Sequence, residues 1–307
     1  MLNLKNKNFF QLSALVLLGV LFLGACSIKD DTKSKQIESG DNEVNKIKVA
    51  TTIFPLYDLA QEIGGEKVET ILLLPPGASP HTFEISPQKV KDLAGSQLLF
   101  MIGLKLDDWA INLVNKTNDV KVVDLSTAVE LQTLTEEGDE TGDFDPHYWL
   151  SPQQAKLIVN QIAKELSVLD EANSEYYLVR AQSYQQKIEE KITTWQSTLA
   201  KMENKNLVVF HDAWGYFASD FNLNIVANLE PFPGKSPSPK YLEEINKIIK
   251  QYQVKTLFVE PQLAINMAQT FAQDLDLEIR VLDPLGGLDN RDSYLSLIEY
   301  NVNEIAR

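Results

Sequence analysis

The 307-residue chain has one cysteine and three histidines. A single cysteine excludes any intramolecular disulfide, and with it the thiolate clusters that build structural zinc sites. Basic residues are also scarce, 28 Lys and Arg against 43 Asp and Glu, for a formal charge of -15. A surface of that sign repels phosphate backbones, so nucleic acid is not an expected partner. Glycine-rich phosphate loops of the G-x-G-x-x-G or G-x-x-x-x-G-K kind are absent, which argues against a bound nucleotide. After residue 25, no apolar run approaches the roughly 20 residues that a membrane-crossing helix needs. What is present, 44% hydrophobic and 9% aromatic residues, suffices to bury one large core or two modest ones, and this excludes a disordered or fibrous chain.

The lone cysteine sits at a telling place. Lys5 and Lys7 precede an unbroken apolar run from Ala14 to Ala25, the pattern of a secretory signal. Leu23-Gly24-Ala25-Cys26 resembles the bacterial lipobox, in which the cysteine receives a lipid and becomes the new N-terminus after cleavage. Residues 1–25 are thus expected to be a signal peptide. Residues 26–46, rich in Asp, Lys, Ser, Asn and Glu, are expected to be a flexible lipidated tether. The expected location is the extracytoplasmic face of a bacterial cell membrane, with Cys26 as the anchor in the bilayer.

From Ile47 onward short β-branched runs alternate with helical patterns, the signature of βαβ units. Strands are expected at 48–53, 68–74, 98–102 and 120–123, and again at 207–210, 224–227, 256–259 and 278–282. The fold class is α/β, with two Rossmann-like lobes of parallel sheet, 47–172 and 204–307. Between them Tyr184, Ile188, Ile192, Trp195, Leu199 and Met202 recur every three or four residues. This predicts a long rigid helix within 173–203, capped by Asn173, that joins the lobes; the plainer reading is a core helix of the first lobe. Ser86-Pro87, Ser151-Pro152 and Ser238-Pro239 each place a capping hydroxyl before a proline at the first helical position. Gly77 and Gly234, like Gly103 and Glu260, are 157 residues apart, and Asp124 and Asp283 are 159 apart. These offsets suggest a diverged duplication, which would give two similar sheets facing one another.

His81, His147 and His211 each stand where a side chain can be aimed. His81 follows the stiff turn Pro75-Pro76-Gly77-Ala78-Ser79-Pro80, His147 precedes the helix start at Ser151-Pro152, and His211 directly follows a strand. Ligands of parallel α/β sheets bind beyond the carboxyl ends of strands, the position of His211, Glu260 and Asp283. Three neutral imidazoles and one carboxylate suit Zn²⁺, whereas sites dominated by carboxylates favour Mn²⁺ or Mg²⁺. The ligands are scattered along the chain, and their spacing alone leaves a metal site and three separately satisfied histidines both open.

The motifs Leu74-Pro75-Pro76-Gly77-Ala78-Ser79-Pro80-His81-Thr82-Phe83-Glu84, Asp145-Pro146-His147-Tyr148-Trp149-Leu150-Ser151-Pro152, Phe258-Val259-Glu260-Pro261-Gln262 and Leu282-Asp283-Pro284-Leu285-Gly286 resemble those of one family. It is the cluster A-I metal-binding lipoproteins of ABC importers, in the ZnuA-like zinc branch. The resemblance implies two α/β lobes on a backbone helix, with one Zn²⁺ held between them by His81, His147, His211 and Asp283. It places Glu260 near the site as a supporting acid. Mn²⁺ is the less favoured ion, because the manganese branch typically has Glu where His211 stands. The implied partners are a membrane permease and a separate ATPase, with the receptor itself a monomer and not an enzyme. Two departures stand out: the stretch 131–145 is acidic and lacks the histidines many zinc members carry there, and the disulfide of some members is absent. Two other functions compete: an exported zinc hydrolase with Glu260 as general base, and a manganese receptor or surface adhesin of the same fold.

Overall fold

In a computed structural model the described residues are 46–114, 120–133, 143–230, 237–263, 266–288 and 290–307. The expected signal peptide, Cys26, the tether up to residue 45 and most of the acidic stretch lie outside them. Residues Val44–Arg307 form one compact unit.

The first four strands, β1 (Ile47–Thr51), β2 (Val68–Leu72), β3 (Leu98–Met101) and β4 (Lys121–Asp124), form an all-parallel sheet in the order β2-β1-β3-β4. The second four, β5 (Asn206–His211), β6 (Asn224–Glu230), β7 (Thr256–Val259) and β8 (Glu278–Val281), repeat it as β6-β5-β7-β8. The two sheets therefore have the same topology, as a duplication would leave them.

Alternation along the strands sorts each sheet into two faces. Val49, Leu98 and Phe100 join one core, while their neighbours Ala50 and Leu99 join another that is covered by α2 (Pro87–Leu93) and α3 (Ile111–Val114). In the second lobe Leu207 and Val209 belong to the first core, whereas Val208 and Phe210 face α7 (Pro239–Tyr252) and α8 (Asn266–Asp274). The first core is shared between lobes. It also holds α1 (Phe54–Gly64), α4 (Pro152–Leu169), α5 (Ser174–Leu199), α6 (Gly215–Phe221) and α9 (Tyr294–Ala306).

The expected long helix is α5, 26 residues, or about 39 Å at 1.5 Å per residue. It buries Tyr177, Ala181, Tyr184, Ile188, Ile192, Trp195 and Leu199. That stripe meets α1 and α4 of the first lobe and α6 and α9 of the second, so the helix is connector and core helix at once. Truncating the fully buried Trp195 to Ala would cost about 3–5 kcal/mol. The caps divide. Ser151 and Ser238 accept from the N–H groups of Gln154 and Tyr241, but Ser86 makes no such bond. Asn173 precedes α5 without capping it, and its amide donates to Asp170 at 2.7 Å.

Polar ties cross between the lobes. Asp58 of α1 accepts from the backbone N–H of Tyr294 at 2.8 Å and from the Tyr184 hydroxyl at 3.4 Å. The Tyr294 hydroxyl donates to the Trp149 carbonyl at 2.9 Å, and the Trp149 indole donates to the Pro284 carbonyl at 2.7 Å. The chain segments carrying His147 and Asp283 are thereby bound to one another. Among the described residues no helix is long and apolar enough to cross a membrane.

Candidate metal centre

A different local device delivers each imidazole. In Pro75-Pro76-Gly77-Ala78, the Ala78 N–H donates to the Pro75 carbonyl at 3.1 Å and Gly77 has φ +83°. Proline second and positive φ third are the requirements of a type II turn, and glycine meets the latter without strain. This turn carries the chain from β2 to His81, the least buried of the three. His147 starts the short 3₁₀ turn Tyr148–Leu150, which leads into α4. Asp145 accepts from both the backbone N–H of His147 at 2.9 Å and its ring Nδ1 at 2.7 Å. With Nδ1 committed as donor, Nε2 keeps its lone pair, the carboxylate–imidazole arrangement that orients metal ligands. His211 is the last residue of β5, where pairing with Glu230 of β6 holds its backbone.

The three side chains converge. Their ring centroids are 5.4, 5.0 and 5.1 Å apart pairwise, and one nitrogen from each lies within 4.8 Å of the others. The Nε2 atoms of His81 and His147 are 3.3 Å apart. Two nitrogens bound at 2.0–2.1 Å to a tetrahedral ion stand about 3.3 Å apart, so this pair already has the spacing a zinc ion requires. His211 is buried, and among the described residues neither ring nitrogen has a hydrogen-bond partner of ordinary geometry. A buried unpaired imidazole is costly unless something else uses its lone pair.

At His81 and His211 the electrostatics favour the neutral ring, the form that donates to a metal. Burial, then the neighbouring His147, lowers the His81 pKa to about 3. Burial, then His147 and His81, pushes that of His211 well below 6.5, with the Glu230 backbone working the other way.

The carboxylates predicted from the sequence are placed differently. Glu260, directly after β7, lines the same small cleft as the three histidines. Its Oε1 accepts from the Trp214 indole at 3.1 Å. Burial raises its pKa to about 8, against the Trp214 bond and with the charges of Asp283 and Glu230. Asp283 does not join the cluster. Its Oδ1 accepts from the backbone N–H groups of Leu285 and Gly286 at 3.0 and 3.1 Å and from the Gln262 amide at 2.8 Å. Its Oδ2 lies 3.4 Å from the Arg291 guanidinium. The structure thus gathers His81, His147 and His211, sets Glu260 beside them, and turns Asp283 toward its own loop.

Asp145, Gln262 and Arg291 were not predicted as site residues. Asp145 had a signal, two residues ahead of a ligand candidate in Asp145-Pro146-His147; Arg291 had none. The aromatic set Trp214, Tyr216 and Phe217 is buried. It also serves the site, because the Tyr216 hydroxyl donates to the Asp145 carbonyl at 3.2 Å.

Comparison with known proteins agrees with this geometry. The family model for the zinc-uptake complex component A, periplasmic (ZnuA), matches residues 49–307. The high-affinity zinc uptake system protein ZnuA of Bacillus subtilis (strain 168) is 26% identical, over 97% of each chain. The zinc-binding protein AdcA of Streptococcus pyogenes is 26% identical over 85% of this chain but only 54% of its own, so the chain spans about half its length. A crystal structure of ZnuA superposes with a TM-score of 0.77 at 26% identity, over 85% of this chain and 98% of that one. The paired sheets, the long helix and a family match running from β1 to the C-terminus lead to one conclusion: the chain belongs to the ZnuA family of zinc-uptake components.

Proposed function

We propose that this protein captures Zn²⁺ between its two lobes and hands it to the permease of an ABC importer whose ATPase is a separate chain. The observation that carries the reading is the convergence of three imidazoles, from three distant segments and both lobes, with two nitrogens already 3.3 Å apart. His81, His147 and His211 are the ligands in this reading, and Asp145 orients His147. Membership of a zinc-uptake family and the zinc-related names of its relatives support zinc over manganese. A third histidine where a carboxylate would suit Mn²⁺ points the same way. The protein works as a receptor and not as an enzyme. It acts as a monomer at the extracytoplasmic face of the membrane, held in the bilayer through Cys26.

Calorimetric zinc titration of the wild type and of His81→Ala, His147→Ala and His211→Ala tests the ligand set. Each variant is expected to lose affinity by at least about 100-fold, more than the 10- to 100-fold cost of disturbing an outer-shell partner. A folded variant that binds as the wild type does would remove that histidine from the set.

A further inference from the structure

Three buried hydrogen bonds cross the boundary between the lobes one after another, and Tyr294 makes two of them. This residue opens α9 of the second lobe and is fully buried. Its backbone N–H donates to Asp58 of α1 at 2.8 Å and its hydroxyl to the Trp149 carbonyl at 2.9 Å, both in the first lobe. The Trp149 indole then donates back to the Pro284 carbonyl of the second lobe at 2.7 Å. The start of α9 has its own capping box, Ser293 with Ser296, so Asp58 supplies a tie between lobes in addition to a cap. The chain of bonds ends at the metal centre: Trp149 and Pro284 line the same cleft as the three histidines, and the Trp149 ring lies 5.2 Å from that of His147.

The lobes contribute unequally to the histidine cluster. His81 and His147 belong to the first lobe. There Asp145 holds the His147 ring, and the Tyr148 hydroxyl donates to the Ile102 carbonyl at 2.7 Å, so the spacing of this pair is set inside one lobe. His211 comes from the second lobe, with its ring centroid 5.0 and 5.1 Å from theirs. Those two distances depend on how the lobes stand to one another. We propose that Tyr294 is a positioning residue: with Asp58 and Trp149 it clasps the lobes at the spacing that brings His211 to an ion held by His81 and His147. Hydrogen bonds in a buried chain strengthen one another, and a missing member leaves its partners unpaired, so the clasp acts as a unit. This deepens the proposed receptor function and rests on it.

Zinc itself is the probe, in calorimetry with a competing chelator, and circular dichroism checks that each variant is folded. Tyr294→Phe keeps the ring and removes the hydroxyl bond to Trp149. It is expected to weaken zinc binding about tenfold, the lower end of the range for a disturbed outer-shell partner. Tyr177→Phe is the control, because it loses a hydroxyl bond of 2.8 Å to Asp170 within the first lobe. It should lower the urea midpoint comparably and change zinc affinity less than about twofold. Double-mutant cycles then separate positioning from mere stability. Combined with His211→Ala, Tyr294→Phe should cost nothing further, since the remaining imidazole pair is spaced within one lobe. Combined with His81→Ala it should still cost about tenfold, since the remaining pair spans both lobes. The proposal is overturned if folded Tyr294→Phe binds zinc as the wild type does, or if its loss adds equally in both cycles. Asp58→Ala cuts the other bond from Tyr294 to the first lobe and is expected to repeat the pattern, with Asp58→Asn weakening binding less because its amide oxygen still accepts. Where Tyr294→Phe does not fold, equal losses for Asp58→Ala in the two cycles overturn the proposal as well. The receptor reading survives either result and falls only if the histidine variants keep wild-type affinity.

Discussion

The two lobes share a strand order and part company at their strand ends. In the first lobe β3 runs into Ile102 and Gly103, whose N–H groups donate to buried Asp107 at 2.7 and 2.9 Å, with the Thr52 hydroxyl adding a third bond at 2.6 Å. The carboxylate closes its own loop. In the second lobe the residue at the place of Gly103 is Glu260, which lines the histidine cleft. A Cβ at Gly103 would collide with the Asp124 carboxylate, so glycine there lets Asp124 fold inward. After the fourth strands the likeness returns: Asp124 accepts from Ser126 two residues on, as Asp283 does from Leu285. An acid at this place is first of all a turn cap. Asp283 differs from Asp124 in its further partners, Gln262 and Arg291.

The sharpest way to break that comparison is to delete the two acids of the first lobe in turn. Asp107→Ala leaves three buried donors without a partner, at about 1–3 kcal/mol each, so urea unfolding should show a loss of at least about 3 kcal/mol. Asp124→Ala strands one part-buried N–H and should cost about 1 kcal/mol. Equal losses would mean that the Asp107 network is relieved by water or by loop rearrangement.

Much of this was legible in the sequence because it is local. Eight strands, the stripe on α5 and two of three serine caps follow from periodicity and neighbouring residues. The placement of the three histidines left their convergence open, and only the resemblance carried by the motifs around them implied a shared site. What escaped was non-local or depended on orientation. Asp58 meets Tyr294 across 236 residues, and Trp149 meets Pro284 across 135. The sequence places Asp283 at the mouth of the second sheet, but not the rotation of its carboxylate, which is set by Arg291, Gln262 and two backbone N–H groups.

The lobes also present their imidazoles unequally: His147 is oriented by a carboxylate, while among the described residues neither nitrogen of His211 has a hydrogen-bond partner of ordinary geometry. Asp145→Ala should therefore weaken zinc binding 10- to 100-fold, the usual consequence of removing an outer-shell carboxylate. Calorimetry checks this, and the heat of binding should shift as His147 becomes free to rotate. Unchanged affinity would show that the chain on either side of His147 already fixes the ring.

The smallest effect lies in how the metal-free protein responds to alkali. The folded-state pKa of Glu260 is raised from 4.5 to about 8, so between these values the native state holds a proton that the unfolded state has released. Its contribution to stability is complete below pH 4.5 and disappears as pH rises through about 8. Asp58 and Asp107, both near 6 because of burial, have the same sign but finish titrating lower. His81 and His211 act oppositely: their lowered values make the metal-free protein lose stability as pH falls below 6.5, where unfolded histidines take up protons. The window from pH 7 to 9 isolates Glu260, with a decline on the order of 1 kcal/mol in urea unfolding with chelator present. Glu260→Gln keeps an acceptor for the Trp214 indole and carries no proton to lose, so the decline should vanish in that variant. If it persists, the slope belongs to another group, and Glu260 is ionised beside the histidines at neutral pH.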